Sequence, residues 1–246
     1  MFSIFQRKRS TRVNFSQLAT DMHSHLLPGI DDGASDVMMS DELIKGMLDL
    51  GYKKLITTPH VMADIYPNTP STIAAAYEKL KKKSQVSQVN FPLQTAAEYL
   101  LDERLDKMLQ QSEPLLCISD KMVLIEFSFV APPADYKEKI FQLQMHGYLP
   151  VLAHPERYLY WGGNRLVIDE LKTSGCLFAV NMLSLIGHYG KPPLDISNYL
   201  LKKNYIDFLG TDVHHPRHLE ALRSAHQLMP VINQLLDGGG LLNPRL

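Results

Sequence analysis

Seven short apolar or β-branched runs, at residues 18–22, 54–58, 93–97, 122–127, 149–153, 176–180 and 206–209, alternate with segments whose apolar residues recur at helical spacing. The helical segments are 36–50, 72–86, 101–110, 134–146, 166–173, 196–202 and 219–236. Helix following strand in this way implies a parallel sheet with helices outside, and seven units closing on themselves would make a distorted seven-stranded (β/α)7 relative of the TIM barrel. An open doubly wound sheet is the alternative. Gly51, Gly147 and Gly175 each stand after a helical segment and before a strand, where a left-handed cap is needed. The Pro-rich pieces 131–134 and 191–194 follow strands and are expected as loops on the face where the strands end. A chain of 246 residues, 45% of them hydrophobic, can bury one full core, so residues 18–246 are expected as one domain behind an N-terminal tail, 1–17.

Several function classes are disfavoured at once. The net charge is −1, so the molecule as a whole offers no field for nucleic acid. No apolar run is long enough to span a bilayer and the start of the chain does not read as a signal peptide, so a cytoplasmic protein is expected. Arg7, Lys8, Arg9 and Arg12 form one basic cluster, either a solvated tail or a contact to an acidic membrane surface or partner. Cys117 and Cys176 both lie in apolar stretches and lack the following arginine of a cysteine-nucleophile phosphatase; both read as reduced core residues.

The informative pattern is where metal-ligating side chains fall. Six of the seven expected strands end in one: His23 and His25, His60, Glu98, Glu126, His154, and Asp212 with His214. In a parallel barrel these ends share one face. Residues i and i+2 of a strand project to the same side, roughly 6–7 Å apart, so His23 with His25 and Asp212 with His214 can point inward together. Mixed imidazole and carboxylate donors suit manganese, iron or zinc. A lone histidine after a strand is more often a hydrogen-bonded loop residue. The carboxylates of Glu98 and Glu126 weigh more, because a buried strand end does not accept them unpaired. His146, His188, His218 and His226 read as surface or helix residues, and His215 is ambiguous.

The segments DMHSHLLPGIDDGASD, TTPH, AAEYLLDERL, LIEFS, LAHPERY and GTDVH resemble, in order, the motifs of the polymerase and histidinol phosphatase (PHP) superfamily. Within it they are similar to the bacterial manganese-dependent tyrosine-protein phosphatases of capsular and exopolysaccharide synthesis. The resemblance runs from about residue 21 to about 214 and implies a distorted barrel holding three divalent ions, manganese, with iron or zinc as alternatives. It would place His23, His25, Glu98 and Asp212 on a first ion, Glu98 with Glu126 and His154 on a second, and Asp32, His60 and His214 on a third. Asp32 is preferred to Asp31 by its distance from His25. Three divalent ions outweigh the four carboxylates, which leaves a positive site matched to a phosphate monoester.

The implied chemistry is attack on phosphorus by a hydroxide that the ions generate from water, whose pKa falls from 15.7 towards roughly 7. Arg157 is the candidate for gripping phosphoryl oxygens, with a structural salt bridge as its other reading. The resemblance calls for a second arginine after the last histidine; Arg217 is the nearest match at a different spacing. His215 or His214 could protonate the leaving phenolate. The implied partner is an autophosphorylated, membrane-linked bacterial tyrosine kinase. The alternatives are a small-molecule phosphatase, of the histidinol phosphate or nucleotide-end kind, and an inactive barrel that binds metal or a partner.

Overall fold

Strands and helices alternate along the chain as its periodicity requires. A computed structural model describes residues 13–84, 92–162 and 164–246. In order these form β1 (Thr20–Asp21), α1 (Val37–Asp49), β2 (Lys54–Thr57), β3 (His60–Val61), α2 (Pro70–Lys83), β4 (Leu93–Thr95), β5 (Glu98–Leu100) and α3 (Glu103–Gln110). There follow β6 (Met122–Glu126), α4 (Tyr136–Met145), β7 (Leu149–Ala153), α5 (Leu166–Thr173), β8 (Leu177–Asn181), α6 (Lys191–Lys202), β9 (Phe208–Gly210), α7 (Pro216–Ser224) and α8 (Leu228–Asp237). Every ladder is parallel, in a three-stranded sheet ordered β1-β2-β4 and a six-stranded sheet ordered β3-β5-β6-β7-β8-β9.

Two short strands, β3 and β5, lie just beyond the second and third expected runs and join the six-stranded sheet, whereas β2 and β4 of those runs belong to the three-stranded one. Pro59, with no N–H to give a ladder, separates β2 from β3, and Ala96 and Ala97 separate β4 from β5. Hydrogen bonds continue through both breaks, Ala96 N–H to the Thr57 carbonyl at 2.9 Å and Glu98 N–H to the Pro59 carbonyl at 3.0 Å. The regular ladders do not close into a ring. At the far side the chain beyond β1 meets the chain beyond β9: Ser24 and Val213 form a parallel bridge, Asp212 N–H donates to the His23 carbonyl (2.8 Å), and His25 N–H donates to the Val213 carbonyl (3.0 Å).

The strands have apolar residues on both faces, as parallel strands covered on both sides must. One face gathers Met22, Ile56, Leu124, Val151, Ala179 and Phe208 into an inner core. The other packs Val123, Ile125, Leu152 and Phe178 into the larger core that also takes Leu43 and Met47 of α1. That larger core also buries Val13 and Phe15, so the packed body reaches ahead of Leu18. Arg7, Lys8, Arg9 and Arg12 lie outside the described residues. Among the described residues no helix is long and apolar enough to cross a membrane. Cys176 is buried, which pushes its thiol up to about 12, whereas Cys117 is only half-buried rather than a core residue; both are free.

Gly51, Gly147 and Gly175 adopt φ of 98°, 79° and 89°, the left-handed caps their placement called for. Two boundaries differ from expectation, both because of proline. Residues 191–194 are the first turn of α6 rather than a loop, since Pro192 and Pro193 need no N–H partner there. The single helix expected over 219–236 is α7 and α8, because Pro230 is accommodated in the first turn of α8 but would interrupt a continuous helix.

Candidate metal centre

The paired ends beyond β1 and β9 set the first donors. Because residues 23–25 run parallel to residues 211–213, the two i, i+2 pairs face one another: Asp212 Oδ1 lies 3.4 Å from His23 Nε2, 3.6 Å from His25 Nε2 and 3.5 Å from His214 Nδ1. His25 and His214 stack with ring centroids 3.9 Å apart. Gly210 permits this approach, since a Cβ there would stand 2.8 Å from the His23 Cβ. Asp212 and His154 both hold positive φ, 52° and 35°, backbone that a non-glycine residue adopts at a cost of order 1 kcal/mol or more. Both strained residues turn their side chains into the cluster, where the surrounding fold holds them.

Glu98, fully buried at the break between β4 and β5, is the hub. Its Oε2 lies 3.0 Å from His23 Nε2, 3.3 Å from His25 Nε2 and 3.4 Å from His60 Nδ1, and its Oε1 lies 3.2 Å from His154 Nε2. Glu126, the last residue of β6, approaches His60 Nδ1 at 2.7 Å and His154 Nε2 at 4.0 Å. The loop after His25 supplies the remaining carboxylates. Asp32 Oδ1 faces His60 Nε2 at 3.4 Å and His214 Nε2 at 3.5 Å. Asp31 instead turns inward, taking His25 Nδ1 at 2.8 Å and the N–H of Gly33 at 3.0 Å. Gly33 has no room for a Cβ, which would sit 2.2 Å from the His25 carbonyl oxygen, and this closeness folds Asp31 onto His25.

These contacts fix tautomers. His25 donates from Nδ1 to Asp31 and His214 donates from Nδ1 to the Asp212 carbonyl (2.9 Å), so each presents the Nε2 lone pair to the cluster. Four groups of donor atoms are close enough to share an ion: His25, Asp32, His60 and His214; His23, His25 and Asp212; His23, Glu98 and His154; His60, Glu98 and Glu126. Together they contain all nine residues singled out from the sequence, and no other described residue belongs to such a group. His60 faces two of the groups, one with each ring nitrogen.

The electrostatics ask for cations. Burial opposes charge throughout, yet His23 and its neighbouring imidazoles hold the Glu98 carboxyl well below the usual range, and Asp212 is likewise depressed by His23, His214, His154 and Arg157. Burial and the charge of Glu98 push Glu126 upward. Conversely, burial would lower His23, but Glu98 and Asp212 outweigh it and hold it at about 9. Glu98 Oε1 and Asp212 Oδ1 are buried without a hydrogen-bond donor, an arrangement costing about 1–3 kcal/mol for each atom if nothing positive meets it. Divalent ions among these donors fit the residues present.

Arg157, in a short 3-10 turn after His154, donates from Nη1 to Asp212 Oδ2 at 2.9 Å, so the salt bridge considered for it exists. It also lines a cavity of about 240 Å³ over the cluster, together with Phe129, Tyr189, His215 and His218. Arg217 is exposed and is not among the cavity's lining residues. The reason is helical geometry: α7 starts at Pro216, and the spacing of three from His215 brings His218, not Arg217, to the same side. Their rings are 3.9 Å apart, and His218 Nδ1 accepts the His214 N–H at 3.2 Å, so His218 is a lining residue rather than a bystander. Asn181 was also missed: at the end of β8 it donates from Nδ2 to Asp212 Oδ2 (3.1 Å), giving the one strand without a ligand a part in the site. A polar residue closing the apolar run 176–180 was the available signal. Nothing in the sequence marked Tyr189.

Residues 19–227 match the family described as capsular polysaccharide synthesis, CpsB/CapC. The chain is 30% identical over 194 residues to the tyrosine-protein phosphatase YwqE of Bacillus subtilis, covering 79% of this chain and 76% of that one. It is 27% identical to the tyrosine-protein phosphatase CpsB of Streptococcus pneumoniae, covering 79% of each. Crystal structures of YwqE and of that CpsB are described as unique metal-dependent tyrosine phosphatases, and the matching structure superposes with a TM-score of 0.74 at 29% identity, covering 82% of this chain and 84% of the other. The α/β architecture of parallel sheets is therefore shared, and the chain belongs to the CpsB/CapC family of capsular polysaccharide synthesis proteins.

Proposed function

We propose that this protein is a metal-dependent protein-tyrosine phosphatase, and the observation that carries the reading is the convergence of nine imidazole and carboxylate residues on the buried Glu98. His23, His25, Glu98 and Asp212 would hold one divalent ion, Glu98, Glu126 and His154 a second, and Asp32, His60 and His214 a third, with manganese the expected metal. Bound there, the ions would supply an acidified water and positive charge for the phosphoryl oxygens. Arg157, one edge held by Asp212, offers its remaining N–H donors to the phosphate from the cavity wall. Asn181 steadies the same carboxylate, and Asp31 keeps His25 in its ligating tautomer. His215, which lines the cavity, would donate a proton to a departing phenolate, which needs little help.

Counting β2 with β3 and β4 with β5 as single kinked strands gives seven units, and the Ser24–Val213 bridge supports reading them as a distorted barrel. The phosphatase domain would span 18–246, in the cytoplasm, acting on the phosphotyrosines of a membrane-linked kinase that governs polysaccharide synthesis. Hydrolysis of phosphotyrosine peptides and of histidinol phosphate by the manganese-loaded protein tests the reading. Turnover of the peptides but not of histidinol phosphate supports it; the reverse preference assigns the site to small molecules, and no turnover of either leaves a binding barrel.

A further inference from the structure

We propose that Phe129 is the platform on which the aromatic ring of the substrate stacks, making it a specificity-determining residue; this rests on the phosphatase reading above. Phe129 stands three residues after Glu126 and lines the cavity, yet its side chain is half-exposed at 50% and its neighbour Val130 is 87% exposed. The core beneath does not need it. That space is filled by Phe127, Tyr158 and Trp161, whose rings pack at centroid distances of 5.0–5.5 Å. Phe129 instead lies over the chemistry: its ring stacks on His154 at 5.3 Å and 24°, and the Arg157 guanidinium sits 4.9 Å from its centroid. The rest of the cavity wall is almost wholly histidine, carboxylate and arginine.

A phosphoryl group held beside Arg157 and the ion cluster carries its organic group only one ester oxygen away. An aryl group at that distance meets the exposed part of Phe129 within the range in which aromatic rings attract, whereas a short alkyl group has too little surface to cover it. The platform thus selects aryl over alkyl phosphates by binding, independently of how well each leaves.

Non-hydrolysable phosphonates separate the two effects. Competitive inhibition by benzylphosphonate, the phenyl compound in which a methylene replaces the ester oxygen, and by ethylphosphonate is measured for wild type, Phe129→Leu and Phe129→Tyr, with bound metal quantified in each. The platform predicts that wild type prefers the phenyl compound, that Phe129→Leu cuts this preference about tenfold with metal retained, and that Phe129→Tyr restores it. An unchanged preference in Phe129→Leu, or equal weakening of both inhibitors because Arg157 has been displaced, overturns the platform while leaving the phosphatase reading intact. A wild-type protein that hydrolyses no phosphate monoester overturns both.

Discussion

Asp21 and Asp212 are both buried aspartates at the joint where the first and last strands meet, and they are provided for in opposite ways. Asp21 has each oxygen matched: Oδ1 accepts the Thr211 N–H at 2.9 Å and Oδ2 the Thr211 hydroxyl at 3.0 Å. Asp212, the very next residue after Thr211, has Oδ2 matched by Arg157 and Asn181, while Oδ1 has three imidazoles at 3.4–3.6 Å and no hydrogen bond. Burial pushes the Asp21 carboxyl up to about 7, whereas the positive groups around Asp212 outweigh its burial and hold its carboxyl well below the usual range. A satisfied buried carboxylate joins strands, and an unsatisfied one waits for a cation.

Breaking the unsatisfied side should have the largest effect. Glu98→Gln keeps the shape but removes the charge shared by four imidazoles, so metal should be lost and phosphotyrosine-peptide hydrolysis should fall about a thousandfold or more. Arg157→Ala should lower kcat/KM about a hundredfold with the wild-type metal content retained; a lower content would make Arg157 a structural partner of Asp212 instead. Asp31→Ala should weaken metal affinity by about 10–100-fold, measured by titration with manganese, because His25 loses the acceptor that fixes its tautomer. On the satisfied side, Asp21→Asn keeps an acceptor for the Thr211 N–H and can donate to its hydroxyl, so stability should fall by no more than about 1 kcal/mol, read as Tm, with metal content unchanged.

The same contrast explains how much could be read before the structure. Periodicity located the alternating strands and helices, and the placement of histidines and carboxylates after strands located eight of the clustered residues, because both follow from short-range rules; Asp32 came from the family resemblance. What depended on proline was misplaced or missed: the short strand resumed after Pro59, the start of α6 and the division of α7 from α8. What depended on which oxygen meets which donor was only partly legible: Asp32 is preferred to Asp31 for the cluster, but nothing gives Asp31 its own part. Asp31 and Asp32 are adjacent in sequence, and only the tight fold at Gly33 shows the first orienting His25 and the second facing His60 and His214. Arg217 and His218 likewise exchange expected places through one helical turn.

Elemental analysis of purified wild type, Glu98→Gln and Asp21→Asn, prepared side by side in manganese, addresses the central claim most directly. Divalent metal bound to wild type and to Asp21→Asn but lost from Glu98→Gln is the predicted result. Equal metal in all three proteins, or none in wild type, would contradict the account.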